Sequence, residues 1–195
     1  MAQATTGDHA RRLLEGMAAS ITEKGYAATT IADVVRHARV SKRTFYEHFP
    51  DKEAAFLATY SAASDEVLSV IAAAITTDAP WRERVAAGVR AYLSVLAAHP
   101  ALTRTFLVEI QAAGPRALAL RRDVMRRFAA QLQRIVEDVR RSAPDIPPLP
   151  DALAVAAVGG VNELLLQAIE AGRTDRLDEL ADDASALLYA LIDRR

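Results

Sequence analysis

The residues of this chain best suited to chemistry lie in one short segment, residues 29–52. From position 36 to position 52 the chain carries five basic and two acidic residues, with two histidines beside them. Lys42 and Arg43 fall in the first turn of a helix that the pattern predicts to begin after Ser41. Cations at that end oppose the helix dipole and cost up to about 1 kcal/mol. Folding gives no reason for them, so the arrangement indicates an anionic partner.

Three predicted helices position these cations. The first helix runs from about Asp8 to Gly25, a short second helix follows the cap residue Thr30, and a short third helix runs from Ser41 through Phe49. A helix of about eight residues is not stable alone, so both short helices must pack on the first. The apolar side chains that this packing turns inward are Ile31, Val34, Val35, Val40, Phe45 and Phe49.

Once those side chains face inward, the outer side of the third helix presents polar residues. A single helix is narrow enough to enter the major groove of DNA. Arg43 and Thr44 are the candidates for contacts to base edges, whereas Tyr46 and His48 can donate to phosphate oxygens. Lys52 stands at the start of the next helix, where backbone N–H groups also favour an anion. On charge alone, a solvated helix end with two core aromatics is an equally good interpretation.

This segment resembles the DNA-binding domain of the TetR-like (tetracycline-repressor) family of bacterial regulators, over roughly residues 8–61. The resemblance implies an all-α protein of about nine helices. Residues 8–61 would form a three-helix helix-turn-helix DNA-binding domain, and residues 62–195 a helical ligand-binding and dimerisation domain. The residues that carry the resemblance are Thr29-Thr30, Val40-Ser41-Lys42, Thr44-Phe45-Tyr46, His48-Phe49 and Asp51-Lys52-Glu53.

The resemblance also implies roles for individual residues. Tyr46, His48 and Lys52 would hold phosphates, while Arg43 and Thr44 would face bases. Arg39 departs from the family, which usually has Gly at this turn position. A positive φ there would cost a side chain about 1–2 kcal/mol, which a contact from Arg39 to a phosphate would offset. The complete set of predicted DNA contacts is Thr30, Arg39, Ser41, Lys42, Arg43, Thr44, Tyr46, His48 and Lys52.

Helical periodicity also dominates the rest of the chain, and no window alternates as a half-buried strand would. A fourth helix is predicted from Asp51 to about Thr77. Residues 142–150 hold four prolines and must form a loop. The remaining predicted helices are Pro80–His99, Pro100–Ala113, Pro115–Arg141, Asp151–Ala171 and Thr174–Arg194.

The last two predicted helices carry a pattern for packing against other helices. Small residues in one of them would let a partner helix approach closely, and leucines recur at alternating spacings of three and four in the other. Periodicity alone does not distinguish internal packing from pairing with a second subunit. The resemblance favours a homodimer through these helices, which would place two recognition helices on a pseudo-palindromic operator. The recurring residues are Leu177, Leu180, Ala184, Leu187 and Leu191.

The resemblance further implies an unknown small-molecule effector that binds between the central helices and releases the operator, as in a repressor. The candidate ligand-binding residues are Tyr92, Phe106, Glu109, Phe128 and Asn162. Glu109 would anchor a cationic or hydroxylated ligand.

Composition excludes several other classes of protein. The chain has no cysteine, no Gly-rich phosphate loop and no histidine pair at metal-binding spacing, so no enzyme, metal or cofactor is expected. No signal peptide and no membrane span are expected either, which fits a cytoplasmic protein. The principal alternative is an all-helical protein–protein interaction module without DNA binding. That alternative would leave the cations of the third helix unexplained.

Overall fold

The structure is a computed structural model that describes residues 2–75 and 78–194. Every regular element in this part of the chain is helical, which confirms the predicted all-α fold. The nine α-helices are α1 (Ala2–Ala28), α2 (Ile31–Ala38), α3 (Lys42–His48), α4 (Lys52–Ala74), α5 (Trp81–Ala98), α6 (Pro100–Leu107), α7 (Pro115–Arg140), α8 (Asp151–Glu170) and α9 (Ala181–Ile192). Two 3-10 segments, Glu109–Ala112 and Thr174–Leu180, complete the chain.

An N-terminal hydrophobic cluster joins α1, α2, α3 and the first half of α4, and it extends to α6, the 3-10 turn at Ile110 and the first half of α7. Val34 and Phe45 are fully buried in it, as the sequence predicts. Close contact between α1 and α2 depends on Gly16, because a Cβ there would lie 2.6 Å from the carbonyl oxygen of Val34. The short helices α2 and α3 are therefore held by packing on α1, which gives α3 a fixed orientation.

A second cluster fills the C-terminal part and is built from α5, α7, α8 and α9. Helix α4 connects the two clusters, since it contacts α1 at one end and α5 and α7 further along. The predicted domain boundary after residue 61 falls inside this continuous helix.

Two predicted helices differ from the structure. The helix after Pro100 changes to a 3-10 turn at Glu109 instead of continuing to Ala113. The predicted helix 174–194 is a 3-10 segment followed by α9, because Arg176 has non-helical backbone angles. Leu177 and Leu180 are buried in that 3-10 segment, so the predicted leucine ridge is not one continuous helical stripe.

The ends of two other helices also differ slightly. Gly25 has a φ of 77° and breaks α1 where the sequence predicts its end, but a final helical stretch continues to Ala28. Helix α4 ends at Ala74, and the predicted end near Thr77 lies outside the described residues.

Within the described part of the chain, α8 is long and apolar enough to cross a membrane by length and composition, with a mean hydropathy of 1.7. Residues 81–98 and 100–112 are long and apolar enough only when they are counted together, and the two segments are bent by 105° relative to each other. The core helix of a folded domain meets this test as well, and 33% of the α8 window is already buried inside the fold.

Candidate nucleic-acid interface and ligand cavity

The start of α2 is fixed by a capping box. Thr30 accepts a hydrogen bond from the N–H of Asp33 at 3.3 Å, and the Asp33 carboxylate accepts one from the N–H of Thr30 at 3.0 Å. The ammonium of Lys24 lies 2.9 Å from the same carboxylate. The hydroxyl of Thr30 and this ammonium together hold the pKa of Asp33 far below its ordinary value. The exposed Thr30 thus has a structural role, and its DNA contact stays a prediction.

The turn between α2 and α3 contains the one non-glycine residue with positive φ in the described part of the chain. Arg39 has φ 53° and ψ 47°, in the left-handed region. Arg12 donates from its guanidinium to the carbonyl oxygen of Arg39 at 2.8 Å. This contact from α1 helps to hold Arg39 in the left-handed conformation, which is unfavourable for residues with a Cβ. The Arg39 side chain is exposed, and its contact to a phosphate stays a prediction.

Helix α3 is capped at its start and anchored by one aromatic ring. Ser41 accepts a hydrogen bond from the N–H of Thr44 at 3.0 Å, and the two hydroxyl oxygens lie 2.9 Å apart. Phe45 is fully buried against α1. These contacts fix both the position of α3 and its rotation about its own axis.

The opposite face of α3 is open to solvent. Lys42 and Arg43 are exposed, and Tyr46 is 57% exposed, which is unusual for a large aromatic side chain. Arg43 makes only a surface ion pair with Glu47, at 3.1 Å, and such pairs are weak. The half-buried His48 ends the helix. The exposed group of two cations and one phenol is the arrangement predicted for a DNA-contacting face.

The side chain of Lys52 lies against backbone carbonyls at the end of α1. Its ammonium donates to the carbonyl oxygens of Tyr26 at 3.1 Å and Thr29 at 2.9 Å, with that of Ala27 at 3.5 Å. Its position as the first residue of α4 brings it to the end of α1. The Lys52 ammonium is turned to these carbonyls in the structure, and its phosphate contact stays a prediction.

A cavity of about 600 Å³ lies between α1, α4, α5, α6, α7 and α8. This volume is in the range of small-molecule sites. Tyr92, Phe106, Phe128 and Asn162 line it, so the structure brings four of the five predicted ligand residues together. Glu109 lines neither this cavity nor its neighbour. Glu109 begins the 3-10 segment that follows α6, and its role as a ligand anchor stays a prediction.

Two polar residues of this cavity, Tyr60 and Arg121, were not predicted from the sequence. Tyr60 is mostly buried, and burial raises its pKa to about 12 while the charges of Arg121 and Arg127 act in the opposite direction. Burial also raises the pKa of Tyr92. Both phenols are therefore protonated donors at neutral pH. No sequence signal separates Arg121 from the other arginines of α7.

A second, smaller cavity of about 90 Å³ adjoins the first. It lies between α4, α5, α7, α8 and α9, and apolar side chains form most of its wall. Gly88 belongs to this wall, and a Cβ there would lie 3.3 Å from Ile75 Cδ1, so a side chain at this position would press on Ile75.

Comparison with known proteins agrees with this geometry. Residues 13–59, which span α1 to the first part of α4, match the family model "Bacterial regulatory proteins, tetR family". No curated protein matches the sequence significantly.

Solved structures share the fold over nearly the whole chain. FadR from Bacillus subtilis, a transcriptional regulator in complex with stearoyl-CoA, has 17% identity and a TM-score of 0.75, covering 94% of this chain and 97% of that one. The fatty acid degradation regulator FadR from Bacillus halodurans has 15% identity and a TM-score of 0.79, covering 96% and 97%. A tetR-family regulatory protein from Rhodococcus RHA1 has 23% identity and a TM-score of 0.66, covering 94% and 96%.

The N-terminal unit is a helix-turn-helix whose residues 13–59 match this family model, and the whole chain shares the fold of these solved structures. The chain is TetR-like, with an N-terminal domain of the tetR family of bacterial regulatory proteins.

Proposed function

We propose that the protein is a DNA-binding transcriptional regulator whose α3 enters the major groove. The observation that carries the proposal is the two-sided character of α3, with Phe45 fully buried and Lys42, Arg43 and Tyr46 exposed on the other side. Cations and hydroxyls displayed on one narrow helix suit contacts to phosphates and base edges. An all-helical interaction module without DNA binding would give no reason for this display.

The regulator acts as a homodimer through α8 and α9. Val155 on α8 is 43% exposed, and Ala156 and Gly159 beside it are small and solvent-accessible. A Cβ at Gly159 would meet nothing within 4 Å, so the fold of one subunit does not require glycine there. This face is apolar and carries small side chains, so a second copy of the chain can approach it closely. It also accounts for the high hydropathy of α8, which would then be covered on both sides.

The effector is a small molecule that binds the larger cavity and releases the operator, so that the protein acts as a repressor. Support comes from the cavity wall, which includes Leu14 and Ala18 of α1 as well as residues of α4. A ligand there touches the helices that carry α3, and a ligand that prefers one spacing of the two α3 helices shifts the dimer towards it. FadR from Bacillus subtilis holds stearoyl-CoA, which makes ligand binding in this fold chemically reasonable. We place this activity in the cytoplasm and expect no catalysis.

The test is retention of genomic DNA fragments by the purified full chain at low salt. We expect a small set of fragments that share an inverted repeat. Tyr46→Ala should lose affinity for all fragments while its circular dichroism and melting temperature stay unchanged, because Tyr46 is exposed. Retention of no fragment, or equal retention by Tyr46→Ala, would overturn the proposal and favour the interaction module.

The dimer is tested separately with Val155→Asp. A carboxylate at this exposed position should shift the chain from dimer to monomer in sedimentation and reduce DNA affinity, with helicity preserved. A monomeric wild-type protein at micromolar concentration would contradict the proposed interface.

A further inference from the structure

The two cavities are separated by side chains that belong to the walls of both. Tyr92 of α5, Phe128 of α7, and Val158 and Asn162 of α8 line the larger cavity on one side and the smaller cavity on the other. We call these four residues the partition. These four residues are the ones through which the two cavities adjoin.

Weak contacts hold the partition. The Tyr92 hydroxyl donates to Asn162 Oδ1 at 3.4 Å, which is long for a hydrogen bond between oxygens. The amide of Asn162 donates to the thioether of Met125 at 2.9 Å, and a thioether is a poor acceptor. The Tyr92 and Phe128 rings have centroids 5.6 Å apart and are tilted by 54°. A ligand that displaced these side chains would therefore break no strong interaction.

The smaller cavity suits hydrocarbon rather than a polar group. Apart from the partition, its wall includes Ile71, Ile75, Ile135 and Leu188, with Gln131 as the exception. Burial of a hydrocarbon group against apolar walls of this kind is favourable. Its volume of about 90 Å³ gives room for a few chain carbons and not for a second ring system.

The polar end of such a ligand would lie in the larger cavity. Arg121 lines that cavity together with Arg11, Glu15 and Glu66, and Glu15 is paired with Arg11 at 2.6 Å. The Tyr60 hydroxyl lies in the same wall, close enough for the charge of Arg121 to act on it. A guanidinium and a protonated phenol are both donors, which is the chemistry that holds an anionic head.

We propose that the ligand is an amphipathic molecule with an anionic head and a linear hydrocarbon tail, and that Tyr92 and Asn162 form a gate that the tail must pass to reach the smaller cavity. Tail length then decides affinity. Short tails end in the larger cavity, and longer tails displace the gate and gain the apolar contacts beyond it. The inference rests on the proposed effector site and adds the class of effector and the residues that select it.

The experiment measures binding of straight-chain carboxylates to the full-length protein by titration calorimetry. The series is octanoate, decanoate, laurate, myristate and palmitate, each also as its CoA thioester, so that the series that binds identifies the source of the anionic head. Once the tail passes the gate, affinity should rise roughly fourfold per methylene, the value for transfer of that group from water.

Gly88→Val is the variant that fills the smaller cavity, and Gly7→Val on the exposed side of α1, where nothing lies within 4 Å, is its control. We expect Gly88→Val to bind short chains as the wild type does and to lose the gain for long chains, while Gly7→Val keeps that gain. Ile135→Phe fills the same cavity from α7 and replaces Gly88→Val if that variant fails to fold.

The outcomes separate this inference from the proposed function. Binding without dependence on tail length, or a gain that survives filling of the smaller cavity, would overturn the gate and leave the effector site in place. Failure of every chain to bind a protein that still retains DNA would overturn the proposed ligand class and the gate, and would leave the DNA-binding function and an effector of another class in place.

Discussion

The ammonium of Lys52 donates to the carbonyl oxygen of Tyr26 at 3.1 Å and lies 4.5 Å from the centre of the Tyr26 ring. The first residue of α4 thereby closes the C-terminal end of α1, where unpaired carbonyls favour a cation. Tyr26 in turn stacks on Phe56 of α4, with ring centroids 4.1 Å apart. Helix α4 is therefore fastened to the DNA-binding unit at two adjacent points, so a shift of α4 carries α1 with it.

Lys52→Met should destabilise the protein because it removes charged hydrogen bonds to the end of α1. We expect a loss of about 1–3 kcal/mol in the free energy of unfolding, measured by urea denaturation. The control is Lys42→Met, whose exposed side chain should lower DNA affinity with little effect on stability. The account of Lys52 fails if Lys52→Met keeps wild-type stability and weakens DNA binding as Lys42→Met does.

Gly16→Ala should loosen the contact between α1 and α2. The added Cβ would meet the Val34 carbonyl at 2.6 Å and the Ala38 amide nitrogen at 2.9 Å, both backbone atoms that cannot move alone. Overpacking of this kind costs typically about 1–3 kcal/mol, and DNA binding should fall with it. Gly7→Ala in the same helix meets nothing within 4 Å and should be neutral or slightly stabilising. Equal melting temperatures for the two variants would show that the helices are not in close contact.

Asp33 should make the DNA-binding unit sensitive to acid. Since its folded-state pKa is depressed, by the Thr30 hydroxyl and then by Lys24, its contribution to stability is present above the ordinary pKa of 3.8 and is lost as the pH falls below it. The stability difference between the wild type and Asp33→Asn should therefore be full at neutral pH and shrink in acid. Thermal midpoints measured across that pH range check this, and a difference independent of pH would argue against the ionised capping box.

Arg43→Ala should alter sequence preference more than general affinity for DNA. The Arg43 guanidinium is exposed and held only by Glu47, so it is free to reach a base edge. We expect the preference to relax at one position per half-site, at a cost of roughly 1–3 kcal/mol. Binding-site selection with the variant measures this, and recovery of an unchanged motif would remove Arg43 from the base-reading residues.

Local patterns predicted the DNA-binding unit well because its determinants are local. The caps Thr30 and Ser41 and the burial of Val34 and Phe45 follow from patterns along the chain, whereas the positive φ of Arg39 was raised by the family resemblance. The family model places the same segment in the tetR family.

Residues whose partners are distant in sequence were predicted less well. Lys52 has its partners more than twenty positions away, at the end of α1, and nothing in its own surroundings indicates them. Glu109 was named without a sequence pattern that placed it, and it lies in the 3-10 segment after α6, outside both cavity walls. Arg121 and Tyr60 become cavity residues only through the packing of α4 against α7.

The most direct test of the central claim, that the outer face of α3 binds duplex DNA, is the salt dependence of binding for the wild type and Lys42→Met. With an operator duplex, the logarithm of the association constant should fall linearly with the logarithm of salt concentration, by about 0.9 for each phosphate neutralised. For a dimer with one Lys42 in each subunit, Lys42→Met should make that slope shallower by about two at unchanged helicity. Identical slopes for the two proteins, or no binding to any duplex even in dilute buffer, would contradict the claim.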